Sequence, residues 1–284
     1  MARITLSLSC KDQIGIVAKV ATFLSANGGF IIESAQFGDP DTGRFFMRTL
    51  FNETNENKRG VEEWENAFSS IAQEFAMDFK FRSSEAKAKV VILASKAPHC
   101  LNQILNLYSV GDLRIEVPAV ISNHDDLRAL CNFYHIPFYH LPMDKEGKAA
   151  QEEKLYAIIE RYQPDLVVLA RYMQILSPGL TNKLYGKAIN IHHSFLPSFK
   201  GAKPYHQAYE KGVKLIGATA HYVSDDLDEG PIIEQEVVRV DHNYTPEKLV
   251  QCGRDVESLS LVRAIKYHIE DRVFINGHKT VVFR

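Results

Sequence analysis

The first 84 residues pass through strand-like and helix-like hydrophobic patterns in turn. Apolar residues take every second position from Arg3 to Cys10 and then recur three or four apart from Ile14 to Leu24, which predicts a strand followed by a helix. Later strands are expected at residues 30–37, 44–51 and 77–82, and a second helix at 61–75. The order is β-α-β-β-α-β, with Trp64 and Phe68 on the core face of the second helix.

The pattern changes after residues 83–89, a short polar segment that predicts a linker. Continuous apolar runs, typical of strands covered on both faces, lie at residues 90–94, 115–121, 166–170 and 188–192. Helical spacing is found between them, at residues 100–108, 125–133, 151–162 and 178–184. This alternation predicts an α/β fold with a doubly wound, mostly parallel sheet.

The C-terminal part departs from that alternation. Residues 215–222 and 232–240 predict a more antiparallel strand pair, 246–271 one long helix, and 273–276 with 280–283 a final hairpin. We therefore expect two domains, residues 1–84 and 85–284.

Composition and charge exclude several classes of function. Lys and Arg number 33 against 35 Asp and Glu, a net charge of −2, so a broad basic surface for nucleic acid is not expected. No apolar run reaches the roughly 18 residues of a membrane span. The four cysteines are far apart and complete no metal-ligand spacing. We expect free thiols, no metal and a cytoplasmic protein.

Three polar side chains follow apolar, strand-like runs. Asn190 and His192 end the run at 188–192 and lie two residues apart, so both point to the same face. Asp228 lies in the loop between two later strands. Ligands of open α/β sheets bind at the carboxyl ends of the strands, where these residues could converge. An amide donor, an imidazole and a carboxylate are the groups that acyl or formyl transfer requires.

Asn190-x-His192 with Ser194-x-Leu196-Pro197, followed by Asp228-x-Gly230-Pro231, resembles the folate-dependent formyltransferase family. The resemblance covers residues 88–284 and is strongest over 166–236. It implies that Asn190, His192 and Asp228 are catalytic, and that 10-formyltetrahydrofolate is the substrate, with no permanently bound cofactor. It also implies a folate-binding surface formed by Arg171, Tyr172, Met173, Gln174, Ile175, Leu176, Val223 and Asp226.

One further segment and one residue bear on this resemblance. Residues 198–202 match the loop that follows the catalytic strand. His193 stands where the transferases usually have a small residue or proline, so its role is open between a second acid/base group and a spacer.

The turn at residues 94–101 separates branches of the family. Glycinamide ribonucleotide members resemble this region but carry glycines, whose backbone N–H groups can approach a phosphate. This chain has none there, and Pro98 removes one donor. Only a long helix and a hairpin are expected after Asp241, and the net charge is near zero, which disfavours the methionyl-tRNA members.

The N-terminal order and the segment Asp12-Gln13-Ile14-Gly15-Ile16 resemble the ACT regulatory domain, a ferredoxin-like fold. Such domains often bind amino acids at subunit interfaces, and Asp12 and Gly15 are then the residues of interest. A plain oligomerisation module without ligand is the alternative. An ACT-like domain ahead of a formyltransferase-like one is the arrangement of the hydrolytic branch of the family.

Resemblance to that branch implies hydrolysis of 10-formyltetrahydrofolate to tetrahydrofolate and formate. The reaction would supply formate for purine synthesis and balance the one-carbon folate pool. Asp228, helped by His192, would deprotonate water, and Asn190 would donate to the oxyanion. The resemblance also implies glycine or methionine as effectors and a homotetramer. A transferase to a small amine and a non-catalytic folate or amino-acid sensor remain alternatives.

Overall fold

The computed structural model describes residues 3–54, 59–142, 147–196 and 204–284. The chain forms two compact units, residues 1–87 with 270–284, and residues 88–269. The first boundary lies close to the expected one at residue 84. The C-terminal end differs from expectation, because residues 270–284 belong to the first unit and not to the second.

The first unit is built around a four-stranded antiparallel sheet in the order β2-β3-β1-β4. Its elements are β1 (Arg3–Lys11), α1 (Ile16–Ala26), β2 (Gly29–Asp39), β3 (Arg44–Glu53), α2 (Val61–Glu74) and β4 (Asp78–Ser83). The predicted β-α-β-β-α-β order is confirmed.

The core of this unit follows from the alternation in β1, where Ile4, Leu6 and Leu8 are buried and the residues between them are more polar. Trp64 and Phe68 of α2 are fully buried in the same cluster, as predicted. Each such side chain stabilises the fold by roughly 1.5–3 kcal/mol through burial.

A C-terminal hairpin packs against this unit. It consists of β12 (Val273–Asn276) and β13 (Lys279–Val282). The Phe274 ring lies 5.6 Å from the ring of buried Phe46 on β3, and Asn276 donates to Asp39 at 2.5 Å. These contacts explain why residues 270–284 join the first unit. The hydrophobic pattern predicts the hairpin but not the surface that it covers.

The second unit contains a seven-stranded sheet in the order β11-β10-β9-β8-β5-β6-β7. Its elements are β5 (Ala88–Ala94), α3 (His99–Ser109), β6 (Ile115–Ser122), α4 (Arg128–Phe133), β7 (Phe138–His140), α5 (Lys148–Tyr162), β8 (Leu166–Ala170), α6 (Pro178–Lys183), β9 (Ala188–His192), α7 (Pro204–Lys211), β10 (Leu215–Tyr222), β11 (Ile232–Arg239) and α8 (Pro246–Ile269). Strands β9, β8, β5, β6 and β7 are parallel, whereas β10 and β11 are antiparallel to their neighbours. The predicted mostly parallel sheet is confirmed.

The strand order reverses between β5 and β8. From β5 the chain adds β6 and β7 on one side, and then returns to add β8, β9, β10 and β11 on the other. The loops that leave β5 and β8 meet at this point, where the Met173 N–H donates to Ser95 Oγ at 3.0 Å. A switch point of this kind opens a crevice at the carboxyl ends of the strands.

Two differences from the expected helices concern short elements. Helix α4 begins at Arg128, whereas a start at Asp125 was expected, and α7 was not expected at all. In α7 only Tyr205 and Ala208 face a hydrophobic cluster, which is too few apolar positions for a helical period to stand out. In the described residues, no helix has both the length and the apolar character that crossing a membrane requires.

Candidate active site

A cavity of about 670 Å³ lies at the crevice, large enough for a drug-sized ligand. Every residue predicted for the site lines it: Arg171, Tyr172, Met173, Gln174, Ile175, Leu176, Asn190, His192, Val223, Asp226 and Asp228. The segment 198–202, expected to follow the catalytic strand as a loop, falls outside the described residues.

Asn190, His192 and Asp228 meet in one hydrogen-bonded group. His192 Nδ1 lies 3.0 Å from Asp228 Oδ2, and Asn190 Nδ2 donates to Asp228 Oδ1 at 3.4 Å. The strand period brings the first two to the same face of β9, and the loop after β10 brings Asp228 to them. The expected convergence at this edge of the sheet is therefore present.

The electrostatics of this group favour an ionised carboxylate. Burial would raise the pKa of Asp228, but the hydrogen bonds from His192 and His221 outweigh it and hold that pKa well below its usual value. A carboxylate on Nδ1 fixes the His192 tautomer with the proton on that nitrogen. His192 Nε2 is buried and has no hydrogen-bond partner among the described residues, an arrangement that calls for a ligand or water.

His221 belongs to the same group, although no role was predicted for it. It lies directly opposite Asn190 in the β10–β9 pairing. Its Nδ1 donates to the Tyr222 carbonyl at 2.9 Å, and its Nε2 lies 3.3 Å from Asn190 Nδ2. His221 Nε2 is also 3.7 Å from Asp228 Oδ1. Strand pairing places it there, and one sequence does not reveal pairing register.

The Asp228 loop closes over a glycine. A Cβ on Gly230 would lie 1.7 Å from the Tyr222 carbonyl oxygen, so only glycine permits this approach. Asp228 itself has φ +57°, a left-handed conformation that costs a non-glycine residue free energy and is often found at functional sites. Thr181 and Asn182 of α6 hydrogen-bond the Asp225 carboxylate and hold the start of the loop.

The segment that follows β8 forms a mixed apolar and polar surface. Tyr172 is buried, and burial, with the nearby Glu152 charge, raises its pKa to about 12. Met173 and Ile175 expose more than half of their side chains. Arg171 has φ +61°, so this segment also begins with a strained residue.

Residues 88–265 match the family described as formyl transferase. A formyltetrahydrofolate deformylase from Corynebacterium sp. (strain P-1) is 49% identical over 282 residues, covering 99% of this chain and 98% of that protein. Another, from Bacillus subtilis (strain 168), is 46% identical and covers 98% of this chain and 93% of its own length.

The chain belongs to the formyltetrahydrofolate deformylase family.

Solved structures agree with membership in this deformylase family. A formyltetrahydrofolate deformylase from Pseudomonas syringae pv. tomato superposes with a TM-score of 0.96 at 46% identity, covering 100% of this chain and 95% of that one. One from Burkholderia mallei gives 0.95 at 47%, covering all of both chains. Glycinamide ribonucleotide transformylase 1 from Symbiobacterium toebii gives 0.65 at 30%, covering 72% of this chain and 97% of its own.

This deformylase-family chain has a second carboxylate-centred group in the cavity wall, which was not predicted. Glu257 of α8 is 1% exposed. Its Oε2 lies 2.7 Å from His99 Nε2 and 3.4 Å from Arg171 Nε, and Tyr205 OH donates to Oε1 at 2.7 Å. Burial would raise the pKa of Glu257, but His99, Arg171 and Tyr205 together lower it. We call these four residues the Glu257 network.

The Glu257 network does not fit a metal ion. Atoms of His99, Cys100 and Glu257 lie within 4.8 Å of one another, a spacing that could suit a cation. Both Glu257 oxygens are already hydrogen-bonded, however, and the Arg171 guanidinium would repel a second positive charge. Burial also strongly raises the pKa of the Cys100 thiol, which disfavours the thiolate that a metal requires.

Proposed function

We propose that this chain hydrolyses 10-formyltetrahydrofolate to tetrahydrofolate and formate. The observation that carries the proposal is the His192 ring, whose Nδ1 is fixed by Asp228 and whose Nε2 is buried without a partner beside a cavity of about 670 Å³. Relatives that are 41–49% identical over nearly the whole chain are named formyltetrahydrofolate deformylase. In this role the reaction supplies formate for purine synthesis and balances the one-carbon folate pool.

Folate would bind between the segment at 171–176 and the loop at 223–228. The support for this placement is that both segments line the cavity on which Asn190, His192 and Asp228 also border. The exposed Met173 and Ile175 offer apolar surface for a flat ring system. Asp226, which is exposed in the loop, offers an acceptor for ring N–H groups.

The low pKa of Asp228 bears on which group removes the proton from water. A carboxylate with a depressed pKa is a weak base, and Asp228 already accepts hydrogen bonds on both oxygens. We therefore assign proton removal to His192 Nε2, with Asp228 orienting the ring and stabilising the imidazolium. The sequence analysis expected the opposite roles, with Asp228 removing the proton and His192 helping. The imidazolium can then return the proton to N10, which expels tetrahydrofolate.

Asn190 would donate to the oxyanion of the tetrahedral intermediate. Its Nδ2 contacts with Asp228 and His221 are both long, at 3.4 and 3.3 Å, so exchanging one for a short bond to an oxyanion costs little. Removing a donor of this kind typically lowers kcat by a factor of about 10²–10³.

We also propose that the first unit assembles the chain into a homotetramer and binds glycine or methionine. In support, β2 is an edge strand and carries the exposed apolar residues Phe30 and Ile32, while Ile14 is fully exposed. Exposed apolar side chains on an edge strand are typical of an interface. Asp12 packs against Gly38, where a Cβ would lie 2.4 Å from Asp12 Oδ2.

The assembly and effector proposals have their own tests. Light scattering at micromolar concentration should give a tetramer, and Phe30→Lys should dissociate it. Equilibrium dialysis should show saturable binding of glycine or methionine that Asp12→Ala weakens. A monodisperse wild-type monomer would refute the assembly, and absence of amino-acid binding would leave a plain oligomerisation module.

The proposed reaction is tested with 10-formyltetrahydrofolate and no amine present. Formate and tetrahydrofolate should appear in equal amounts at an enzyme-dependent rate. Release that requires an added amine would assign the chain to the transferases, and folate binding without any turnover would favour a sensor.

A further inference from the structure

The cavity has a second set of lining residues that the proposed folate site does not use. They come from α3, α7 and α8 and from the residue after β9: His99, His193, Tyr205, Val250, Arg254 and Glu257. If folate occupies the segments at 171–176 and 223–228, the group that attacks the formyl carbon must arrive past this second set. Its chemistry therefore decides which nucleophiles can react.

The Glu257 network offers little attraction for a positively charged amine. Each oxygen of Glu257 already accepts a hydrogen bond, one from His99 and one from Tyr205, although His99 Nδ1 is buried without a partner among the described residues. The adjacent Arg171 guanidinium, 3.4 Å from the carboxylate, balances its charge. The wall is thus closed to a cation.

Tyr205 is held in this wall by its contact with α8. A Cβ on Gly253 would lie 2.1 Å from Tyr205 Cζ, so the phenol ring rests directly on the helix backbone. Gly253 and Glu257 are one turn apart on the same face of α8, which brings the hydroxyl to the carboxylate. The ring position is therefore fixed at both ends.

His193 stands between this wall and the reacting group. Its ring centroid is 5.2 Å from that of His192 and 6.4 Å from that of Tyr205. Burial first, and then the charges of Arg171 and His192, lower the His193 pKa to about 4, so the ring is neutral at pH 7. The ring borders the cavity, where its nitrogens can hydrogen-bond water.

We propose that His193, backed by Tyr205 and the Glu257 network, determines that this site uses water and not an amine as formyl acceptor. Its ring occupies the approach that an amine would need and binds the smaller water molecule. This inference deepens the proposed hydrolase function and rests on it. His193 is thereby a specificity-determining residue, distinct from the spacer or second acid/base group considered from sequence.

The two competing reactions differ only in the nucleophile. In hydrolysis, water oxygen bonds to the formyl carbon, the N10–carbon bond breaks, and the proton lost by water ends on N10. In transfer, an amine nitrogen forms the new bond to that carbon, and the amine proton ends on N10. Neither route needs an oxidant, reductant or metal, so the ratio of the products measures the choice directly.

The test is a competition in the full-length protein with 10-formyltetrahydrofolate and hydroxylamine, a small amine that is uncharged at neutral pH. Formate and formohydroxamate are quantified, and the enzyme-free reaction is subtracted. His193→Ala should raise the hydroxamate-to-formate ratio about tenfold or more relative to wild type. His193→Gln, which keeps bulk and hydrogen-bonding capacity, should stay close to the wild-type ratio.

Tyr205→Phe provides a second variant if His193→Ala folds poorly, and it should shift the ratio in the same direction by a smaller factor. Loss of folded protein lowers both products together and leaves the ratio unchanged. If the wild-type protein hydrolyses the substrate but both His193→Ala and Tyr205→Phe keep the wild-type product ratio, the inference about specificity is overturned and the proposed hydrolase function stands. Absence of formate from the wild type without amine would instead refute the underlying function.

Discussion

Two carboxylates of the second unit, Asp228 and Glu257, have similar surroundings but differ in the chemistry that they support. Asp228 and Glu257 each contact histidine, and each has a lowered pKa. Around Glu257, a guanidinium and a phenol complete the set. Around Asp228, the partners among the described residues are His192, His221 and Asn190, and each carboxylate has a histidine partner with one unsatisfied nitrogen. Glu257 therefore already has a permanent counter-charge in Arg171, whereas Asp228 is available to stabilise an imidazolium that forms when His192 takes up a proton.

The largest effect should come from Asp228→Asn. The amide cannot stabilise an imidazolium at His192, so formate release should fall by about 10³-fold or more. Circular dichroism should show an intact fold, and steady-state formate release gives the rate. Activity within a few-fold of wild type would remove Asp228 from the proposed mechanism.

Glu257→Gln should act mainly on stability. It leaves the Arg171 charge buried without its partner, which typically costs about 3–5 kcal/mol. Urea titration should show this loss in the free energy of unfolding.

Glu160→Gln is the matched control for that variant. Glu160 also accepts a hydrogen bond from a tyrosine, Tyr156, at 2.8 Å, but on an exposed surface, so it should change stability by less than about 0.5 kcal/mol. Equal effects of the two substitutions would contradict the view of Glu257 as a buried network centre.

His193 should give stability a distinct pH dependence. With a folded pKa of about 4 against 6.5 for the unfolded chain, only the unfolded state binds the proton between these values. Stability is then full above pH 6.5 and falls as pH drops towards 4, by up to about 1.4 kcal/mol per pH unit. His193→Gln should flatten this slope, measured by urea titration across the window. Asp228 and Glu257 have lowered pKa values in the folded state. The stability that they contribute is therefore lost only at more acidic pH, as pH falls below the usual pKa of a carboxyl group towards their folded values.

A slope unchanged in His193→Gln would show that other groups dominate this window. That result would contradict the lowered pKa of His193 in the folded protein.

Gly253→Ala should change the free energy of unfolding least, but the sign of that change is informative. Glycine to alanine inside a helix usually stabilises by about 0.5–1 kcal/mol. Here the new Cβ would overlap Tyr205, so we expect destabilisation of about 1–3 kcal/mol. Gly179→Ala in α6 is the control, because the new Cβ would lie 3.9 Å from Ser177 Oγ. Stabilisation by Gly253→Ala would contradict the close Tyr205 contact.

The strands around Asn190 and His192 were predictable because the residues of each strand are close in sequence. Strands β8, β9 and β10 match the apolar runs at 166–170, 188–192 and 215–222 residue for residue. Buried strands leave such runs since both faces are covered. Asn190 and His192 follow from the same pattern through the strand period of two.

The Glu257 network was not predictable, because its members come from α3, the loop after β8, α7 and α8. Only the three-dimensional packing brings them together. His221 illustrates the same limit at shorter range, since its contact with Asn190 depends on the register of β9 and β10. The C-terminal hairpin was predicted as an element, but its association with the first unit depends on the Phe46 and Phe274 contact.

The most direct test of the central claim uses water labelled with ¹⁸O and no amine. If His192 and Asp228 activate water, each formate released from 10-formyltetrahydrofolate by the wild type should carry one ¹⁸O atom, in equal amount to tetrahydrofolate. Asp228→Asn should release almost none. Enzyme-dependent formate without the label, or no formate until an amine is added, would contradict the account.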